Sequence, residues 1–312
     1  MTRYLYMGTP TISAEVLRKL LENKIPICAV VSQPDKPLGR GLHLEPTPVK
    51  KVALEFGLPV FQPQSLSEPA FLASLKDLDI DLSLVFAFRM LPVPVLQATR
   101  SGAINLHTSL LPKYRGAAPV PWALYQGEAE TGATVFLLDP QMDHGKILGQ
   151  KSTQIYPEEN AGELLNRLIE ELGLPLLFEV IKAFETGTLT PWEQDHTLAC
   201  PARKLSKEDG ILNWNKDEIS LHNQVRAFNP FPICTTAIME APQRLLRVHK
   251  SKVFSEIQIQ TGYLVRGPHG QALVGCKQNC LELLEVQWPG KPKISGKDLL
   301  NGLQGKGPWK LV

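Results

Sequence analysis

Apolar positions in the first half of the chain fall into two patterns. Short uninterrupted runs alternate with stretches in which apolar residues recur every three or four positions. Tyr4-Leu5-Tyr6-Met7 is a run of the first kind, and Val16, Leu17, Leu20 and Leu21 behind it have helical spacing. Ile25 to Val31 is again uninterrupted. Strand, helix and strand in that order predict a parallel, Rossmann-like sheet with right-handed crossovers. The pattern continues with helices over 48–56, 68–77 and 92–98, a short strand over 59–61, and a strand over 82–88. The last of these, LSLVFAF, has the continuous apolar character of a central strand. Further strands are expected to open near Ile104 and to cover 134–138 and 149–156, with a helix opening near Ala117. Pro157 starts another helix, with Glu158 and Glu159 in the first turn, where the helix dipole favours acids. A break at Pro175 predicts a separate helix running on to Phe184.

The pattern then changes. Residues 187–203 are polar and interrupted by Pro191 and Pro201, which reads as a linker. Beyond it, a helix over 218–228 is followed by short strands over 235–239, 244–250, 262–265, 272–275 and 280–286, and by a helix over 295–303. Short strands separated by turn residues predict a small barrel. The expected organisation is therefore an α/β domain over 1–186, a linker over 187–203 and a barrel domain over 204–312. A length of 312 residues fits two domains at about 150 each.

Composition changes this picture little. Hydrophobic residues at 43% and charged residues at 21% are those of an ordinary globular protein. No apolar run approaches the roughly 20 residues needed to span a bilayer. The first residues enter a strand directly, without the charged and apolar regions of a secretory leader. A cytoplasmic protein without a membrane partner is expected. Cys28, Cys200, Cys234, Cys276 and Cys280 are scattered, and no pair with zinc-like spacing accompanies Cys276 and Cys280, so neither disulfides nor a metal is expected. Charge matters more. The first 202 residues carry 17 Lys and Arg against 22 Asp and Glu, and the rest carry 16 against 9, giving −5 and +7 within a net +2. A basic second half suits an anionic macromolecule, and a solvated basic surface accounts for it equally well.

The candidate chemistry lies between Ile104 and Gly145. Asn105 and His107 are two apart in a strand, so their side chains stand on the same side of the sheet. Asp143 follows a second predicted strand. An amide donor, an imidazole and a carboxylate are the parts of an acyl-transfer site: an oxyanion donor, a proton shuttle and an orienting or accepting base. Singly, each has an ordinary structural explanation, since Asn and Asp favour turns and a lone His is most often a packed core residue. His144, adjacent to Asp143, is read as incidental. Two other segments stand out. Ser32 to Pro48 is a long irregular stretch rich in Pro and Gly around Lys36 and Arg40, of a length usually reserved for function. No G-x-G-x-x-G follows the first strand, which argues against a dinucleotide cofactor.

The ordered succession Asn-x-His-x-Ser-Leu-Leu-Pro, Arg-Gly-Ala-Ala-Pro, Glu-Thr-Gly-Ala-Thr and Met-Asp-x-Gly-x-Ile resembles the formyltetrahydrofolate-dependent formyltransferase superfamily, and within it the methionyl-tRNA formyltransferases. The resemblance implies an OB-like barrel as the second domain, of a kind that commonly binds nucleic acid. It also implies 10-formyltetrahydrofolate as co-substrate, initiator methionyl-tRNA as partner and a monomeric enzyme. In the implied reaction, the methionyl amine attacks the formyl carbon. Asn105 donates to the oxyanion, His107 stabilises it or passes a proton to the departing folate nitrogen, and Asp143 orients His107 or takes the amine's proton. Ser109, Leu110, Leu111 and Pro112, with Phe88, Arg89, Met90 and Leu91, are implied to line the folate cleft. Arg89 departs from the Ala-Tyr-Gly form common there. Gln-Pro-Asp-x-Pro-x-Gly-Arg-Gly resembles the family's tRNA-facing loop, with Lys36 and Arg40 meeting the RNA, although Leu42-His43-Leu44 replaces the basic residues that often follow. Arg115 could serve either the folate's acidic tail or the RNA.

Amino-sugar formyltransferases and formyltetrahydrofolate hydrolases share the Asn, His and Asp pattern, and the Gln33–Gly41 loop, the KLSKEDGILNW junction and the basic second half separate them from the tRNA enzymes. A purine-precursor transformylase has no need of the last 110 or so residues. A catalytically silent RNA-binding protein would not need the triad, and a nicotinamide oxidoreductase would need the missing glycines.

Overall fold

The computed structural model describes residues 2–38, 43–239, 243–303 and 307–312. They form two compact units: Met1–Gly116, Gly132–Thr153 and Asn166–Pro201 in the first, and Ala117–Thr131, Gln154–Leu165 and Ala202–Val312 in the second.

In chain order the first half contains β1 (Tyr4–Met7), α1 (Thr11–Glu22), β2 (Ile27–Val31), β3 (Lys36–Leu38), β4 (His43–Glu45), α2 (Pro48–Glu55), β5 (Val60–Phe61), α3 (Pro69–Asp77), β6 (Leu82–Val85), α4 (Val93–Leu96), β7 (Ala103–His107), α5 (Pro119–Tyr125), β8 (Glu130–Leu137) and β9 (Ile147–Gln154). The main sheet has the order β5-β2-β1-β6-β7-β8-β9. It is parallel from β5 to β7 and turns antiparallel at β8. All four residues of β1 and of β6 are buried, as strands covered on both faces require. Leu5, Met7, Ala29, Val31, Phe71 and Leu75 belong to one apolar cluster on this sheet. The chain moves outward from β1 to β2 and β5, then returns to the other side of β1 for β6 and β7. Open α/β sheets bind ligands where the strand order reverses in this way, outside the carboxyl ends of the strands.

Several details differ from the sequence pattern. The strand expected over 82–88 ends at Val85, because Ala87 takes a left-handed backbone (φ 50°) that a strand does not continue through. Within the irregular 32–48 stretch, Lys36–Leu38 and His43–Glu45 pair as an antiparallel hairpin. Pro175 does not break the helix it was expected to end. Ala161–Arg167 (α6) and Leu174–Glu185 (α7) join through a π-helical turn, Leu168–Gly173. Proline has no N–H for the preceding turn and crowds the carbonyl four residues back, and a wider turn accommodates both. Residues 192–201 run as a strap on the first unit. Trp192 pairs with Ile147 through two backbone hydrogen bonds, and Cys200 O accepts from Arg115 N.

In the second unit, α5 packs on α8 (Glu218–Ala227). The Tyr125 ring stacks on Phe228 at 5.4 Å, and Trp122 meets Phe228 edge-on at 6.0 Å. The remaining elements are β10 (Cys234–Ala237), β11 (Leu245–Phe254), β12 (Tyr263–Arg266), β13 (Ala272–Gly275), β14 (Cys280–Gln287), β15 (Lys293–Ser295), α9 (Gly296–Gly302) and β16 (Trp309–Lys310). Their antiparallel order is β10-β11-β14-β13-β12-β16, with β15 beside β14. Ala237 exchanges two backbone hydrogen bonds with Val312, and Met239 N donates to Lys310 O, so the last strand returns to the first. This is the small OB-like barrel expected. Among the described residues no helix is long and apolar enough to cross a membrane.

Candidate active site

The site is assembled at the carboxyl end of β7. Asn105 and His107 share one side of that strand, facing Phe136 and Thr134 across the antiparallel β8 register. His107 is buried, with the Phe136 ring set edge-on against it at 6.3 Å. His107 Nε2 lies 2.9 Å from the carbonyl oxygen of Tyr114. A carbonyl can only accept, so Nε2 carries a hydrogen and, in the neutral ring, Nδ1 presents a lone pair. Nδ1 is 3.8 Å from Asp143 Oδ2. The ring is therefore oriented by a backbone carbonyl seven residues downstream, which no side-chain pattern announces. Asp143 stands across from the free nitrogen, outside hydrogen-bonding distance.

Asp143 is fixed with equal care. Its backbone is left-handed (φ 52°), a conformation Asp tolerates better than most residues. Gly116 N donates to its Oδ2 at 2.7 Å. Gly145 follows because nothing larger fits: a Cβ there would lie 1.9 Å from Leu137 O. Asn105 contributes a different kind of signal. Among the described residues its Oδ1 is one of few buried side-chain polar atoms without a hydrogen-bond partner.

Ser109 to Pro112 form a rigid lip beside these groups. Ser109 O accepts from Thr134 Oγ1 at 2.6 Å, and Thr134 Oγ1 in turn accepts from Leu111 N. Gln150 Nε2 donates to both Leu111 O and Thr134 Oγ1 at 2.9 Å. Ser109, Leu111 and Pro112 are buried and Leu110 is half-buried. Thr134 and Gln150 were not singled out from the sequence. The available signal was a polar residue inside the apolar run Ala133–Phe136, placed opposite a histidine.

The loop after β6 is pinned on both sides. Phe86 O accepts from Ser13 Oγ at 2.8 Å. Gly8 sits beneath it, where a Cβ would lie 1.8 Å from Ser13 Oγ and 3.0 Å from Phe86 O. Phe88 is half-buried, Met90 is exposed and Leu91 is buried in the core. Arg89 is turned into the protein, donating to the carbonyls of Pro63 and Gln64 at 2.8 and 3.0 Å.

Arg115 is engaged as well. It donates through Nε and Nη2 to Gln194 Oε1 and through Nη2 to His196 Nδ1. Burial lowers its pKa from the ordinary value, opposed by the nearby carboxylates of Asp143 and Asp139. His196 stacks on His144 at 3.9 Å, and His144 Nδ1 lies 3.0 Å from Asp139 Oδ2. His144, adjacent to Asp143 in sequence, thus faces a different set of partners.

Lys36 is exposed on the β3–β4 hairpin, 3.3 Å from Gln33 Oε1. Arg40 lies outside the described residues. The base of this hairpin is a network the sequence did not reveal. Asp35 accepts from Lys50 and Gln62, and Gln62 also donates to Gln33 O. Although burial pushes the Asp35 carboxyl up, the bonds from Gln62 and Lys50 hold it below its ordinary pKa. Among the described residues no group of three or more His, Cys, Asp or Glu is placed to hold a metal ion.

Comparison with known proteins now bears on this arrangement. Residues 3–181 match the family model described as formyl transferase, and residues 204–304 match the formyl transferase C-terminal domain. The chain belongs to the formyl transferase family. Relatives include the methionyl-tRNA formyltransferase of Geobacter metallireducens, 40% identical over 96% of this chain and 94% of the relative. The methionyl-tRNA formyltransferase of Methylococcus capsulatus is 39% identical over 97% and 98%. Among solved structures, an N-formyltransferase from Helicobacter canadensis in complex with folinic acid and dTDP-3-aminofucose has the same fold, with a TM-score of 0.68 at 18% identity over 91% of this chain and 99% of that one. The members of this family are thus similar over both units, and the nicotinamide alternative has no support.

Proposed function

We propose that the protein transfers the formyl group of 10-formyltetrahydrofolate to the free amine of methionyl initiator tRNA. The observation that carries this is near-full-length similarity, at about 40% identity, to proteins named for that reaction. Within that framework Asn105, His107 and Asp143 take the catalytic roles. The methionyl amine attacks the formyl carbon to give a tetrahedral oxyanion. The Asn105 amide N–H donates to that oxygen, and its partnerless Oδ1 accepts from the incoming amine. His107 Nδ1, the nitrogen left free by the Tyr114 carbonyl, takes up the amine's proton from Asp143 and delivers it to the departing folate nitrogen as the carbon–nitrogen bond breaks. Asp143, across from Nδ1, receives the proton lost by the amine. Ser109 to Pro112 and the Phe88 to Leu91 loop hold the folate, chiefly through backbone groups.

Lys36 on the β3–β4 hairpin, together with Arg40 and the basic residues of 204–312, would receive the RNA. The catalytic domain is assigned to 1–186 and the RNA-binding domain to 204–312, with 187–203 between them. The protein would act in the cytoplasm as a monomer without a metal.

An acceptor comparison tests this. Purified protein with 10-formyltetrahydrofolate is given methionyl initiator tRNA, free methionine, a nucleotide-linked amino sugar or water alone. N-formylmethionyl-tRNA as the sole product is expected. Formate release or formylated sugar, with the tRNA unchanged, would move the assignment to another branch of the family.

A further inference from the structure

The strap over residues 192–201 carries one side chain whose contacts exceed what tethering a segment requires. Gln194 is 5% exposed. Its Nε2 donates to Asp143 O at 3.0 Å and to Gly145 O at 2.7 Å, so a single amide grips the main chain on either side of residue 144. Its Oε1 receives Arg115 Nε and Nη2, which fixes which end of the amide is which, since a guanidinium only donates. Arg115 is itself anchored by backbone pairing to the strap at Cys200. The gripped turn is the one that holds Asp143 in a left-handed conformation. Next to Arg115, Gly116 N donates to the Asp143 carboxylate. The main chain and the side chain of Asp143 are thus both set from the Arg115–Gly116 corner, the first of them through Gln194.

We propose that Gln194 is a positioning residue for Asp143. Its two N–H donors hold the 143–145 turn so that the carboxylate faces His107 Nδ1, and Arg115 acts as the anchor that keeps the amide turned the right way rather than as a ligand for folate or RNA. This rests on the reading above in which Asp143 serves the transfer step. A misplacement of about 1 Å at a reacting group can cost on the order of 10²-fold in rate, which sets the scale expected.

Gln194→Met keeps the volume of the side chain and removes both donors. In the full-length protein its kcat for formylation of methionyl initiator tRNA should fall about 10- to 100-fold. KM for tRNA and for 10-formyltetrahydrofolate should stay within a few-fold. Gln194→Glu, which keeps the bond from Arg115 but places a carboxylate against two carbonyls, should lose at least as much. It serves as the second variant if Gln194→Met does not fold, as judged by thermal melting. Combining Gln194→Met with Asp143→Asn should slow the reaction no further than Asp143→Asn alone. A multiplicative loss in the double variant, a rise in KM with kcat preserved, or unchanged kcat would each overturn the assignment. Full turnover in Asp143→Asn alone would instead remove the role of Asp143, and the proposal for Gln194 with it.

Discussion

At the scale of single residues, two of the three proposed catalytic groups are held by the backbone and the third is left open. Tyr114 O sets the tautomer of His107, Gly116 N sets the carboxylate of Asp143, and Asn105 leaves one amide atom for a substrate. Asn105→Ala is therefore expected to lower kcat by about 10²–10³, the usual loss for an oxyanion donor. His107→Ala should lower it by about 10²–10⁴, with tRNA affinity unchanged in both. Steady-state kinetics beside equilibrium tRNA binding checks this, and a comparable loss of binding would make these residues structural. Gly145→Ala should be more damaging than its size suggests, since the new Cβ lies 1.9 Å from a backbone oxygen that has no rotamer to escape into. Overpacking of this kind costs about 1–3 kcal/mol or more, readable as a lower unfolding midpoint together with lost turnover. The Asn-x-His spacing and its placement on one side of a strand were legible from period two alone. The partner of His107 was not, because a backbone carbonyl has no sequence signature. Gly145 drew no reading of its own, and what requires it is the close approach of Leu137 O.

At the scale of elements, uninterrupted apolar runs identified β1, β2 and β6, because strands buried on both faces have no polar side to obscure them. What they did not convey was where backbone geometry ends an element, as at Ala87, or where a helix absorbs a proline, as at Pro175. The assignment of α5 to the second unit was hidden too, since it depends on Tyr125 and Trp122 meeting Phe228, about a hundred residues away. A pH response is expected at the element level in the second unit. His222, on α8, is near Ser251 Oγ and Pro157 O, and burial lowers its pKa below the ordinary value. The folded state thus binds this proton less readily than the unfolded chain does. Its contribution is complete above the unfolded value of about 6.5 and is lost as pH falls through the folded value. Denaturant unfolding of the full chain from about pH 7.5 to about pH 5 should show a steeper loss for the wild type than for His222→Gln. Parallel lines would mean that His222 is not the group responsible.

At the scale of the whole molecule, an acidic first 202 residues and a basic remainder within a net charge of +2 give a charge distribution suited to an anionic substrate. If RNA phosphates meet these basic residues, counterion release should make tRNA affinity fall steeply with added salt while affinity for 10-formyltetrahydrofolate changes much less. The most direct test of the central claim is single-turnover transfer from formyl-labelled 10-formyltetrahydrofolate to methionyl initiator tRNA, run with saturating enzyme for the wild type and for Asp143→Asn. Label appearing on the α-amine of the tRNA-bound methionine with the wild type, and slowed by at least about 10²-fold in the variant at equal tRNA occupancy, is the predicted result. Label that stays on the folate or leaves as formate with the wild type, or transfer at the same rate in both proteins, would contradict it.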